Sequence, residues 1–109
     1  MSIAESKIRD EVLRELAASS SGEITISDLI DQLEIRLSPS GKDAQIADGR
    51  SDTYFSQKVR NTVSHRQQGT GLAARGLAKY NPDRESWTIT AEGIEYVAAM
   101  EKGQENLAL

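Results

Sequence analysis

The chain has 109 residues, no cysteine and only 5% aromatic residues. This length suits one domain with a single modest core. The lack of cysteine excludes disulfides, thiolate metal sites and a cysteine nucleophile. No window approaches the roughly 18 apolar residues needed to span a bilayer, and the first residues lack the apolar run of a secretory signal. We therefore expect one cytoplasmic domain, residues 1–109, that makes no membrane contact.

Charge is distributed unevenly along the chain, whose net charge is −4. Residues 1–49 carry five Lys and Arg against ten Asp and Glu, a net charge of −5. Residues 50–84 carry seven against two, a net charge of +5, and residues 85–109 carry one against five, a net charge of −4. A basic block between acidic flanks is typical of a protein with an anionic partner.

The first half of the chain predicts two amphipathic helices with a short strand between them. The first segment, residues 1–18, is predicted to be helical from residue 3, because Ile8, Val12 and Leu16 recur every four positions. A strand is predicted over residues 23–26 and a second helix over residues 28–37. Ser27 is the predicted N-cap of that helix. Ile35 lies off its apolar face and is expected to be exposed.

The segment from Ser38 to Asp52 is rich in Ser, Gly, Asp and Pro and predicts a loop, with one turn over residues 44–47. Residues 53–75 form the next helical region, with Asp52 or Thr53 as its cap. The glycines at 69 and 71 leave the end of the helix undetermined, and residues 72–75 are a candidate for a further turn. Gly76 suits a left-handed C-cap.

The last third predicts a hairpin followed by a helix. Strands over residues 77–80 and 87–90 are joined by a polar loop, so residues 77–90 form the hairpin. Thr90 caps a final helix over residues 91–102, in which Ile94, Val97 and Ala98 share one face and Tyr96 and Met100 another. The early strand can pair with the hairpin to close a three-stranded sheet. This order predicts an α+β winged helix-turn-helix: a three-helix core, a small antiparallel sheet with a β-hairpin wing, and an extra C-terminal helix.

One face of the third helix is polar and suited to reading bases. The opposite side of this helix carries the side chains that must face the core: Phe55, Val59, Thr62 and Val63. The polar face carries Gln57, Arg60, Asn61 and Ser64, and Gln67 and Gln68 continue the row if the helix persists. Arg suits guanine edges and Asn or Gln suits adenine edges in the major groove. An ordinary solvated face more often carries Glu and Lys, so we predict DNA readout.

Five further cationic or titratable residues are candidates for backbone contacts. Lys58 and His65 flank the polar face and suit phosphates better than bases. Arg66 turns towards the apolar side, where it extends past the core or pairs with an acid while remaining near phosphates. Lys79 at the base of the wing and Arg84 at its tip are the expected second contact, to the DNA backbone or to the minor groove, although neighbouring Asp83 and Glu85 weaken the case for Arg84.

Catalysis is not expected. One histidine and no cysteine give no zinc ligand set, and no serine lies in a nucleophile-elbow pattern. The Gly69–Gly71 run is too short for a phosphate loop and follows a helix. Trp87 shares a strand face with Ile89 and is expected in the core rather than in a ligand site. We expect no metal and no cofactor.

Four segments share a pattern with a known family: Phe55–Asn61, Ser64–Arg66, Arg75–Ala78 and Trp87–Gly93. They resemble the winged-helix modules attached to bacterial restriction endonucleases of the Mrr and HNH types, over roughly residues 53–97. The resemblance implies a module that docks DNA for a separate nuclease domain, which we do not expect within these 109 residues. Carried over, Gln57, Arg60, Asn61 and Ser64 would be the reading residues. The chain departs from the family in an extra turn at Gln67–Thr70 and in its long loop after the second helix.

The sequence therefore predicts a non-catalytic module that binds double-stranded DNA. It would serve transcription regulation or the targeting part of a restriction or defence system, with a nuclease or another protein as a second partner. Apolar residues on two sides of the last helix would allow a homodimer. The alternative is a winged-helix protein-interaction module that uses its acidic surfaces and does not bind nucleic acid. Recognition of a modified base also stays open.

Overall fold

The computed structural model describes residues 3–38 and 53–108. Within them it contains four helices and one three-stranded sheet, in the order α1 (Glu5–Ala18), β1 (Glu23–Thr25), α2 (Ile26–Leu37), α3 (Tyr54–Ser64), β2 (Ala78–Asn81), β3 (Ser86–Ile89) and α4 (Ala91–Ala108). The predicted turn over residues 44–47 and most of its loop lie outside the described residues. None of the described helices is long and apolar enough to cross a membrane.

The sheet is antiparallel, with β3 in the centre and β1 and β2 at its edges. Ile24 of β1 and Tyr80 of β2 both lie opposite Trp87 of β3. The strand between the first two helices thus pairs with the hairpin, as the sequence predicted. A strand of three residues has little stability alone, and this pairing gives β1 its hydrogen-bonding partner.

The core lies between the sheet and the helices, with Val97 as the buried contribution of α4, and Trp87 is fully buried within it. The predicted inner face of α3 is confirmed, since Phe55 and Val59 are fully buried and Val63 packs at the edge of the core. The core prediction for Trp87 is also confirmed. Ile35, by contrast, is 82% exposed, as expected.

The start of α2 differs from the prediction. The helix begins at Ile26, and its N-cap is Thr25, whose hydroxyl accepts a hydrogen bond from the Asp28 amide at 3.3 Å. Ser27 is exposed inside the first turn, so its predicted capping role is wrong. Ile26 is buried, and helical geometry from Ile26 onward carries this side chain into the core. The last residue of β1 therefore becomes the cap.

The third helix is also shorter than the predicted region of residues 53–75. Thr53 caps it by accepting a hydrogen bond from the Ser56 amide at 3.0 Å, but α3 ends at Ser64 and is followed by turns as far as Leu77. Gly76 has the expected positive φ of 71°. Thr90 caps α4, with the Gly93 amide donating to its hydroxyl at 3.0 Å, as predicted.

The predicted apolar face of α4 is only partly correct. Val97 is buried, but Ile94 is 53% exposed and Ala98 is also exposed. Tyr96 and Met100, predicted on another face, pack against the core instead. The cause is a close backbone approach at Gly93, where a Cβ would lie 2.1 Å from the Leu77 carbonyl oxygen. This approach fixes the rotation of α4 about its axis.

Candidate nucleic-acid interface

Helix α3 lies between α1 and α2, and its remaining side faces solvent. We call the four predicted reading residues on that side, Gln57, Arg60, Asn61 and Ser64, the α3 ridge. Arg60 and Ser64 are exposed, whereas Gln57 and Asn61 are half-buried. The four side chains follow helical spacing along one stripe because the core holds the opposite face. The ridge therefore exists as a surface, although its members are not equally accessible.

Arg60 lies at the centre of the ridge and borders two clefts. One is lined by α2 residues, among them Asp31 and Glu34, and the other by Tyr80 and Glu85 of the hairpin. Arg60 thus lies where α2, α3 and the hairpin meet, with acidic residues of both neighbouring elements lining the same clefts.

Asn61 of the ridge is in contact with α1. Its side-chain amide nitrogen donates to the Glu5 carboxylate of α1 at 3.1 Å. The packing of α1 against α3 brings the first turn of α1 beside the ridge. Glu5 therefore adds negative charge at one side of the predicted reading surface.

Lys58 lies on the α1 side of the ridge. Its ammonium donates to the backbone carbonyl of Ile3 at 2.8 Å, so it ties the start of the chain to α3. The side chain is half-buried. Lys58 thus makes a contact within the protein, and its predicted phosphate contact stays a prediction.

The residues after Ser64 do not continue the ridge as a helix. Gly71 packs against the end of α3, and a Cβ there would lie 2.4 Å from the carbonyl oxygens of both His65 and Arg66. The Ala74 amide donates to the Arg66 carbonyl at 2.8 Å, so the chain folds back on the helix end. Gln67 and Gln68 are exposed in these turns, and they do not extend the helical row.

Arg66 is held against the hairpin. Its guanidinium donates to the Val63 carbonyl at 2.8 Å and lies 5.1 Å from the centre of the Tyr80 ring. Cation–π contact of this kind holds the charge close to the protein surface. His65, its neighbour, is exposed at the end of α3. Of Arg66 and His65, His65 is therefore the more accessible.

The predicted wing residues have different surroundings. Lys79 is exposed on the edge strand β2. Arg84 donates from Nε to the Glu23 carboxylate at 2.8 Å, and Ser86 donates to the same carboxylate at 2.5 Å. These hydrogen bonds, from Ser86 first and then Arg84, lower the pKa of Glu23. Glu23 of β1, rather than the adjacent Asp83 or Glu85, thus offsets the charge at the wing tip.

Arg9 is a candidate that sequence reasoning missed. It is half-buried in α1, and its buried Nε has no hydrogen-bond acceptor among the described residues. Its side chain lines a cleft of about 110 Å³ together with Lys58 and His65. One signal was present, because Arg9 lies four residues before Leu13, which is fully buried, and shares its side of the helix.

The described residues contain no group of three or more acidic or histidine side chains placed to hold a metal ion. No protein-family model, curated protein or solved structure matches the chain.

Proposed function

We propose that this chain is a non-catalytic winged-helix module that binds double-stranded DNA in the cytoplasm. It inserts α3 into the major groove, in transcription regulation or in targeting for a restriction or defence system. Support comes from the element order, in which three helices and a strand precede a hairpin, and from the sheet order β1-β3-β2. The similarity of residues 53–97 to the modules of Mrr-type and HNH-type endonucleases points the same way.

One observation carries the proposal: Arg60 and Ser64 project from the solvent face of a helix at the centre of a chain segment with net charge +5. Gln57 and Asn61 lie beside them, so guanine and adenine edges are the expected targets. Lys58, His65 and Arg66 would contact phosphates along the flanks. Lys79 is the stronger wing contact, because Arg84 is already paired with Glu23.

The proposal predicts that Arg60→Ala weakens binding to a selected duplex by about tenfold or more, since a lost guanine contact costs that much. The duplex would be selected from a random-sequence pool at low salt, and affinity measured by fluorescence anisotropy. For the unaltered protein, the logarithm of the binding constant should fall linearly with the logarithm of the salt concentration. Lys102→Ala is the matched control, because it removes one charge from exposed α4. Its affinity should stay within about twofold of the unaltered protein.

The second candidate function is a protein-interaction module, and one groove favours it. An open groove of about 490 Å³ between α1, β1 and α2 is lined by Glu15, Glu23 and Asp28 together with Arg84. Such a groove would attract a basic partner. Glu5→Gln, which removes the negative charge beside the ridge, should be tested together with the unaltered protein. If neither binds any duplex at low salt, the result would contradict the DNA proposal and favour the protein-interaction function.

A further inference from the structure

A cleft separates the start of α1 from the end of α3. Glu5 and Arg9 line it from α1, Lys58 and His65 from α3 and its cap, and Thr70 from the following turns. Two of these side chains, those of Arg9 and Lys58, are of cationic types. The cleft has a volume of about 110 Å³, which suits a single small anionic group better than a base or a peptide side chain with its backbone.

Arg9 gives this cleft an unused donor. Its Nε–H is buried but has no acceptor among the described residues. A buried donor without a partner is unfavourable, and native proteins rarely retain one without a bound group or water that accepts from it. Arg9 is also the side chain type best suited to phosphate, because its planar guanidinium offers several donors. The unsatisfied group therefore points to an acceptor that enters the cleft from outside the chain.

Glu5 supplies an anion at the same place. Its carboxylate accepts from the Asn61 side-chain amide at 3.1 Å, at the mouth of the cleft. A phosphate in the cleft would lie close to this carboxylate, and two negative charges at short distance repel each other. Because the Glu5–Asn61 contact is exposed, solvent screens it, and a phosphate held by several donors can displace it.

We propose that this cleft binds one phosphate of the DNA backbone, and that Glu5 occupies its mouth in the free protein. This inference rests on the proposed function. Entry of the phosphate displaces the Glu5 carboxylate, which frees the Asn61 amide for a base edge on the adjoining ridge. Arg9 then donates to the phosphate, with His65 and Lys58 beside it. Glu5 thus makes Asn61 available only when a duplex backbone is present.

The test compares duplex affinity and its salt dependence for Glu5→Gln, Arg9→Ala and His65→Ala. Glu5→Gln should bind about threefold to fivefold more tightly, since it removes the competing charge. Arg9→Ala should weaken binding to all duplex sequences by a similar factor and reduce the salt slope by about one. Glu95→Gln, on the exposed surface of α4, is the charge-matched control and should bind like the unaltered protein.

A double variant establishes whether the two residues act on one phosphate. In the Arg9→Ala background, the gain from Glu5→Gln should shrink, because residues that share a partner are not additive. The inference would be overturned if the protein binds duplex and all three single variants, Glu5→Gln, Arg9→Ala and His65→Ala, bind it with unchanged affinity. Their thermal unfolding must be like that of the unaltered protein. His65→Ala guards against a folding defect in Arg9→Ala, because His65 is exposed.

A duplex-free experiment separates this inference from the proposed function. Inorganic phosphate would be titrated into Glu5→Gln, and NMR resonances of the Arg9 Nε–H and the His65 ring followed. Shifts that saturate in Glu5→Gln, and are weaker in the unaltered protein, support the cleft as a phosphate site. If these shifts occur but the protein binds no duplex, the phosphate bound by the cleft does not come from DNA, and the proposed function would be overturned as well. If the protein binds duplex but the Arg9 and His65 resonances do not shift, the phosphate site in the cleft would be overturned while the proposed function would stand.

Discussion

The hydrogen bond between Trp87 and Thr62 joins the sheet to the inner face of α3. The indole Nε1 donates to the threonine hydroxyl at 3.1 Å, and that hydroxyl donates in turn to the Val59 carbonyl at 2.6 Å. Trp87 is fully buried, and Tyr80 contacts its ring edge at a centroid distance of 5.5 Å. A polar residue is thus retained in the core because it satisfies the only donor of the largest core side chain.

Replacing this hydroxyl should destabilise the fold. Thr62→Val keeps the shape of the side chain but leaves the Trp87 N–H buried without an acceptor, which costs about 1–3 kcal/mol. Thr62→Ser is the matched control, since it keeps the hydroxyl and removes only a methyl group. Urea denaturation followed by Trp87 fluorescence measures both free energies of unfolding. Equal losses in the two variants would show that the hydrogen bond contributes nothing to stability.

At the scale of elements, the position of α4 depends on one glycine. Gly93 lets the helix backbone approach the Leu77 carbonyl, where a Cβ would lie at 2.1 Å, and the Ile89 side chain, where it would lie at 2.7 Å. Leu77 immediately precedes β2, so the hairpin and α4 meet at this contact. Tyr96 then lies against α1, and its hydroxyl donates to Asp10 at 2.9 Å. The contact at Gly93 therefore positions the whole helix.

The same substitution at two glycines of α4 should have opposite effects. Gly93→Ala forces a backbone displacement and should lower the free energy of unfolding by about 2 kcal/mol or more. Gly103→Ala meets nothing within 4 Å, and should stabilise the helix by up to about 1 kcal/mol because alanine has the higher helix propensity. Urea denaturation of both variants measures the difference. A neutral Gly93→Ala would refute the close approach.

At the scale of the whole molecule, one buried carboxylate connects three helices. Glu11 of α1 is 5% exposed and accepts from Arg14 at 2.7 Å and from Arg36 of α2 at 3.2 Å. Arg14 also pairs with Glu101 of α4 at 3.0 Å. Burial by itself raises the pKa of Glu11, but hydrogen bonds from Arg14 and Arg36 and the nearby positive charges outweigh it, so that its pKa is lowered.

This network should make stability depend on pH. Because the folded pKa of Glu11 lies below its ordinary value of 4.5, its contribution is present above that value and is lost as pH falls through the folded pKa. Glu11→Gln should therefore cost about 1–3 kcal/mol at pH 7 and progressively less as pH falls below 4.5. Urea denaturation at several pH values measures the effect, with Glu95→Gln as control. A cost that does not vary with pH would contradict the assignment.

How far the sequence predicts this protein is clearest at α3. Its core side chains and its exposed Arg60 and Ser64 follow from helical periodicity, a local property that needs no knowledge of neighbouring elements. Its end was not predictable, because Gly71 stops the helix by packing against the carbonyl of Arg66 through a folded-back turn. The Ser27 prediction failed for a similar reason, since Ser27 and Thr25 are both good caps and burial of Ile26 chose between them.

The sequence by itself determined the order of the elements, the apolar side of most helices and the basic segment at residues 50–84, because periodicity, turn residues and formal charge are properties of the chain. Only the tertiary structure decided which charges meet. The contacts of Glu5 with Asn61 and of Arg84 with Glu23 each depend on two elements brought together by a shared core, across sequence separations that no local pattern encodes. The same packing buries the Nε of Arg9, which has no acceptor among the described residues.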